Sequence, residues 1–122
     1  MWEFSVDTDG RGAMRSEARS ALKQVVFQLD HGMVSHGLAP LYVDGAATEL
    51  GFWGFSRDVV RRLSRLNELY DRQVNWDDPA DKTWRISERD RAEFNALLPF
   101  VISELQVEIG HKWQIVVETR AI

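Results

Sequence analysis

The sequence contains no cysteine among its 122 residues. Disulfide bonds, thiolate nucleophiles and cysteine-ligated zinc or iron–sulfur sites are therefore excluded. The sequence also lacks an apolar run of the roughly 18 residues that a membrane span requires. Its first ten residues, MWEFSVDTDG, show no basic region followed by an apolar one, as a secretion signal would. These absences predict a cytoplasmic protein without a membrane segment.

Positive charge is also scarce, because 15 lysines and arginines stand against 19 aspartates and glutamates, for a formal net charge of −4. Proteins that bind nucleic acid or anionic membranes usually present a basic surface. The charge balance therefore argues against both of these partners and favours a basic one. The sequence is rich in apolar mass, with 44% hydrophobic residues and five tryptophans. This composition and length predict a single domain over residues 1–122.

Catalytic motifs are missing as well. The sequence contains no HExxH, GxSxG, GxxxxGK[ST] or GxGxxG pattern. The histidines His31, His36 and His111 are not spaced to share one helical face. Residues 7–10 resemble the start of a calcium-binding loop, but the residues that follow do not continue the pattern. The sequence therefore predicts a non-enzymatic protein with no metal and no cofactor.

Three segments have the apolar spacing of amphipathic helices, in steps of three and four residues. Ser56 precedes the second of them and Ser87 opens the third, each at the position where a side-chain oxygen can cap a helix. The three predicted helices cover residues 13–30, residues 57–70 after Ser56, and residues 87–109 before Gly110.

Alternating apolar residues predict short strands at residues 2–6, 41–43 and 113–117. Asp44 and Gly45 favour a tight turn after the second of these strands. Residues 33–40 and 46–55 read as loops, the latter with aromatic rings that cover the edge of the core. The order of elements indicates an α+β fold, a single two-layer domain with three helices packed on a small sheet of two to three short strands.

Residues 74–92 join the second and third predicted helices and are too irregular to be helix or strand. Rigid aromatic rings make good interface anchors, and acids around them steer a basic partner. Tryptophan is buried on average, so the alternative is that both rings of this segment fold inward over the helices. We predict a binding surface for a basic protein partner, called the Trp/Asp patch, formed by Trp76, Asp77, Asp78, Asp81 and Trp84.

A second hypothesis is a small-ligand or enzymatic site in the aromatic stretch before the second helix. Phe52, Trp53 and Phe55 would supply rings, while Arg57 and the helix amides would bind an anion. Paired aspartates in the Trp/Asp patch could also act as acid and base, but no neighbour is evident that would raise the pKa of one of them.

A third hypothesis is a nucleic-acid-binding regulator. Arg57, Arg61 and Arg65 recur at steps of four along the second helix. Asp58 and Glu68 lie on the same helix, and the whole chain is acidic, so a solvated surface explains these arginines equally well.

The C-terminal two-thirds of the chain resembles a group of small actinobacterial proteins of uncharacterised function. The resemblance rests on an LG turn, a leucine-rich helix, a W-D-D-P loop, a later tryptophan, and a helix that ends in a phrase similar to L-x-x-E-L-G, here with Ile109 in place of leucine. These features lie at residues 50–51, 57–69, 75–79, Trp84, Phe94 and 105–110.

Residues 1–40 match this group less well, and the group brings no catalytic residues with it. Small acidic proteins of this kind look like immunity partners of secreted toxins, or like regulators encoded beside them. The resemblance therefore implies a binding role of the immunity type, in which the protein neutralises a basic toxin or enzyme.

Overall fold

The computed structural model describes residues 23–122. Within that range, a sheet in the order β3-β2-β1-β4 combines with three α-helices and a 3₁₀ turn at Val34–His36. The elements are β1 (Lys23–Phe27), β2 (Leu38–Val43), β3 (Ala46–Glu49), α1 (Leu50–Trp53), α2 (Arg57–Asp71), α3 (Glu88–Ile109) and β4 (Trp113–Val117).

The predicted α+β class is confirmed, with four strands in the described part of the chain where two to three were predicted. Strand β1 pairs with β2 in antiparallel and with β4 in parallel orientation. The predicted strand at residues 2–6 and the turn at residues 7–10 lie outside the described residues. Over residues 23–122, no helix has both the length and the apolarity needed to cross a membrane.

Helices α2 and α3 pack together and cover the sheet, and their contact encloses the core. Both predicted serine caps are confirmed: the Ser56 hydroxyl accepts a hydrogen bond from the Val59 amide, and the Ser87 hydroxyl accepts one from the Asp90 amide. The apolar stripes of the two helices meet side chains from β1 and β2. The core includes Val25, Phe27, Leu41, Val59, Leu63, Leu66, Leu69, Phe94, Leu98, Val101 and Leu105.

The first predicted helix, over residues 13–30, is wrong where the structure describes it. Residues 23–27 form β1, and residues 13–22 lie outside the described range. Val25 and Phe27 are fully buried while Gln24 faces solvent, so the period is two, as in a strand. Pairing of β1 with β2 on one side and β4 on the other overrides a sequence spacing that is also compatible with a helix.

The two predicted loops, residues 33–40 and 46–55, contain regular structure. Strand β2 begins at Leu38 and includes Pro40, which lies where the register with β3 shifts. Proline is tolerated at such an irregularity because it donates no hydrogen bond to the ladder. The predicted turn is confirmed, with φ of 53° at Asp44 and 82° at Gly45, and it pairs Ala46–Glu49 with β2 although alanine favours strands weakly.

Candidate functional site

The Trp/Asp patch lies in the turns between α2 and α3. The Trp76 ring is 57% exposed and the Trp84 ring is 42% exposed. Asp77 and Asp78, between them in sequence, are also exposed. Both rings therefore face outward and are not folded inward over the helix pair.

The two indoles are anchored to neighbouring carbonyl groups at the end of α2. Trp76 Nε1 donates to the Asp71 carbonyl at 2.8 Å, and Trp84 Nε1 donates to the Arg72 carbonyl at 3.0 Å. The last carbonyls of a helix have no partner within the helix, so these bonds satisfy groups that otherwise need water. The polar edge of each ring is thus fixed while much of its apolar surface stays open to solvent.

His31 packs beside Trp76 from a distant part of the chain. The two rings meet edge to face, with centroids 5.3 Å apart, and the His31 ring also lies 4.8 Å from that of Tyr70. Nδ1 of His31 is 3.1 Å from Oδ1 of Asp71, so the same residue holds His31 with its side chain and Trp76 with its carbonyl. Sequence reasoning missed this arrangement because His31 and Asp71 are forty positions apart.

The Asp71 and Asn67 side chains of α2 hold the loop that carries His31. The Asp71 carboxylate accepts hydrogen bonds from the Gly32 amide at 3.1 and 3.2 Å. One turn earlier, the buried Asn67 side chain accepts from the Val34 amide at 2.8 Å and donates to the Asp30 carbonyl at 3.0 Å. Because buried polar groups are costly when unpaired, these contacts make the loop a rigid support for Trp76.

The three aspartates of the patch have different environments. Asp81 Oδ1 accepts from the Thr83 hydroxyl at 2.6 Å and the Thr83 amide at 2.9 Å. These bonds hold the pKa of Asp81 below its usual value, so Asp81 shapes the loop. Among residues 23–122, no hydrogen bond or ion pair engages the side chains of Asp77 and Asp78.

Asn75 organises the turn that presents them. Its side-chain oxygen accepts from the Asp77 amide at 3.1 Å and from the Asp78 amide at 3.3 Å. An asparagine that bonds an amide two residues later is a common turn device, so the sequence N-W-D-D carried a signal for this turn.

The aromatic residues of the alternative ligand site pack mainly against one another. Trp53 stacks on Phe55 at 6.2 Å and meets Trp113 of β4 edge to face at 5.2 Å. Its Nε1 donates to the Thr48 hydroxyl at 2.7 Å. Phe52 is 67% exposed, next to Trp53. The rings thus join α1 to β4, and the ligand site predicted at Phe52, Trp53, Phe55 and Arg57 stays a prediction.

The start of α2, where an anion was predicted to bind, already holds a carboxylate. Glu108 Oε1 accepts a hydrogen bond from the Ser56 amide at 2.8 Å. The neighbouring Arg57 is exposed. An anion at this helix end would meet the negative charge of Glu108, so the geometry disfavours it.

The arginines of α2 lie next to acids. Arg65 bonds Glu93 of α3 at 2.7 and 2.8 Å and Glu68 at 3.0 Å. These hydrogen bonds, first to Glu93 and then to Glu68, raise the pKa of Arg65. Arg61 pairs with Asp58, and Arg62 forms a two-point pair with Glu104. The predicted nucleic-acid surface is thus largely neutralised by its neighbours.

Over the described residues, 23–122, no group of three or more His, Asp or Glu side chains is arranged to hold a metal ion. In the Trp/Asp patch, Trp76, Asp77, Asp78 and Trp84 are exposed, whereas Asp81 is half-buried.

Comparison with known proteins gives a family match. A family model described as Serratia CdiI immunity protein-like matches residues 35–119, which is more than half of the chain and includes the whole Trp/Asp patch. No curated protein and no solved structure matches the chain. The family match supports the immunity-type part of the resemblance seen in the sequence.

Proposed function

We propose that this chain, which belongs to the Serratia CdiI immunity protein-like family, is an immunity-type protein that binds a basic toxin and neutralises it. The observation that carries the proposal is the family match over residues 35–119. We further propose that the Trp/Asp patch is the surface that contacts the toxin, and that the protein acts by binding, without catalysis of its own.

The anchored indoles support this role for the patch. Trp76 and Trp84 each have a bonded N–H and an open ring face, so their rings lose little freedom when a partner covers them. Preorganised aromatic side chains are typical of the residues that dominate interface energies. The ring surfaces would fill apolar hollows on the toxin.

The exposed acids support a basic partner. Asp77 and Asp78 add two negative charges beside the rings, and the whole chain has a formal net charge of −4. Complementary charge raises association rates and selects partners, more than it adds affinity. Lysines or arginines of the toxin would pair with Asp77 and Asp78, while Asp81 keeps the loop in shape.

The test uses the toxin encoded beside this gene in the native host. Growth of cells that express the toxin, with and without this protein, measures neutralisation, and titration calorimetry at several salt concentrations measures binding. We expect rescue of growth, a complex that weakens as salt rises, and weaker binding for the double variant Asp77→Ala, Asp78→Ala.

A matched control removes two exposed acids elsewhere, in the double variant Glu49→Ala, Glu118→Ala. It has the same net charge as the patch variant, so a loss confined to the patch variant assigns the effect to that surface. Failure to rescue growth would refute the immunity role. Rescue with salt-insensitive binding and no effect of the patch variant would refute the patch alone.

A further inference from the structure

Helix α3 is apolar on two opposite sides. One side enters the core through Phe94, Leu98, Val101 and Leu105. On the other side, Phe100 is 53% exposed and Val107 is 80% exposed. Contiguous apolar patches exposed on a protein surface often mark interaction sites. The outer face of α3 therefore has the composition of an interface. The outer face of α2 carries arginines and acids and does not have this composition.

The exposed apolar and small residues of α3 share one face. They recur at steps of four, four, three and four residues, which keeps them on one stripe of a helix. We call this set the α3 stripe: Ala92, Ala96, Phe100, Ser103 and Val107.

The stripe contains a hole of the kind found in packed helix pairs. A shallow groove is lined by Phe100, Ser103, Glu104 and Val107, with Glu108 at its end. The first four residues have the spacing i, i+3, i+4 and i+7, which is the set that surrounds one inserted side chain when two helices pack. A small side chain from a second helix fits this hole, because the side chain of Ser103 is small and leaves room for it.

We infer that the α3 stripe is the interface between two copies of this chain, packed as an antiparallel helix pair about a two-fold axis beside Pro99 and Phe100. In this register Ala92 lies opposite Val107 of the second copy, and Ala96 lies opposite Ser103. Each alanine thus lies opposite a larger side chain or opposite the hole that accommodates it. The same surface is used by both copies, as two-fold symmetry requires.

Charge selects the antiparallel arrangement. Arg89 is exposed at the first turn of α3, on the same face as the stripe, whereas Glu108 ends the groove at the last turn. The last turn contains no basic residue. In this register Arg89 of each copy lies opposite Gly110 of the other, at the helix end where the terminal carbonyls favour a cation. Parallel packing would place the two Arg89 side chains together.

The size of the stripe sets the strength of the dimer. From Ala92 to Val107 the helix rises roughly 22 Å, at about 1.5 Å per residue. One helix pair of that length covers less than the roughly 800 Å² per partner of a standard interface. We therefore expect a reversible dimer whose population depends on the concentration of the chain. The Trp/Asp patch precedes α3, so the two patches of a dimer lie at opposite ends of the helix pair and stay open.

Sedimentation velocity of the full chain over a concentration series tests the inference. We expect the mass to rise from 14.1 kDa towards twice that value as concentration increases. The variant Ala96→Glu places a charge in the centre of the interface and should stay monomeric over the same range. Ala96 is exposed and glutamate favours helices, so the fold should survive. The control Ala46→Glu adds the same charge on β3 and should dimerise like the parent.

A parent chain that stays monomeric at all concentrations would overturn the inference, and so would a dimer that persists in Ala96→Glu. Circular dichroism checks that Ala96→Glu is folded, and Ser103→Glu provides a second variant of the same interface. Toxin binding should be unchanged in Ala96→Glu. If the parent is monomeric and Ala96→Glu loses toxin binding, the stripe contacts the toxin and the dimer is refuted, while the immunity role is unaffected.

Discussion

Trp53 and Trp76 have similar polar contacts but different surroundings. Nε1 of Trp53 donates to the Thr48 hydroxyl at 2.7 Å, and Nε1 of Trp76 donates to the Asp71 carbonyl at 2.8 Å. Yet Trp53 is packed among Phe55 and Trp113, while Trp76 is 57% exposed. A bonded indole N–H therefore fixes where a ring lies without deciding whether it is buried. The difference separates a ring that stabilises the fold from one available to a partner.

The largest effect should come from removing the packed ring. Trp53→Ala should lower the free energy of unfolding by about 3 kcal/mol, since it deletes a large, partly buried aromatic side chain. Trp76→Ala should cost less than about 1 kcal/mol, in line with a surface position. Urea unfolding of both variants measures the contrast. Equal losses of unfolding free energy in the two variants would contradict the conclusion that Trp53 stabilises the fold more than Trp76 does.

The contrast should reverse in toxin binding. Trp76→Ala should weaken binding by about 2 kcal/mol, roughly a 30-fold rise in Kd, as expected for a central aromatic anchor. The matched control is Phe52→Ala, which removes another exposed ring outside the patch. Calorimetry measures the Kd of both variants for the toxin. A rise in Kd of similar size in Phe52→Ala would indicate that the toxin contacts α1.

A smaller effect should follow from loosening the support of Trp76. Asp71→Ala keeps the carbonyl that binds the indole but removes the bonds to His31 and Gly32. We expect a loss of about 1 kcal/mol in stability, the usual value of such bonds. Asp58→Ala, which removes a surface pair with Arg61, should cost less than about 0.5 kcal/mol. Similar values for both would show that the loop needs no such support.

The smallest effect should be an acid transition of the patch. Hydrogen bonds from Thr83 lower the pKa of Asp81 in the folded chain. The ionised Asp81 carboxylate therefore stabilises the loop at pH values above the unfolded-state pKa of about 3.9. That stabilisation is lost as pH falls through the lower folded value. Tryptophan fluorescence should change below about pH 4. The variant Asp81→Asn should lack this change, and an identical acid transition in it would contradict the assignment.

Much of the helical architecture was predictable because its signals are local. Ser56 and Ser87 cap helices whose amides lie three residues away, and Asp44 with Gly45 forms its turn within one hairpin. The strand at Lys23–Phe27 was read as helix because its apolar residues fit both periods over a short window, and its pairing partners lie elsewhere in the chain. The assignment of residues 1–122 to a single domain stays a prediction.

The residues of the candidate site were nameable from sequence, but their orientation was not. The sequence slightly favours burial of Trp76 and Trp84, because tryptophan is highly buried on average, whereas the structure exposes both. Asp81 and its neighbours Asp77 and Asp78 looked alike, although hydrogen bonds from Thr83 occupy Asp81 alone of the three. The exposed face of α3 opposite the core is also not evident from the sequence, since apolar spacing does not tell how many sides of a helix are covered.

Local patterns of residues a few positions apart establish the α+β class, the two long helices with their caps, and the acidic, tryptophan-rich character of the segment between them. That β1 is a strand between β2 and β4, and that Asp71 joins His31 to the Trp76 loop, follows from the folded arrangement alone. These features depend on contacts between distant residues, whose energies no local pattern of side chains records.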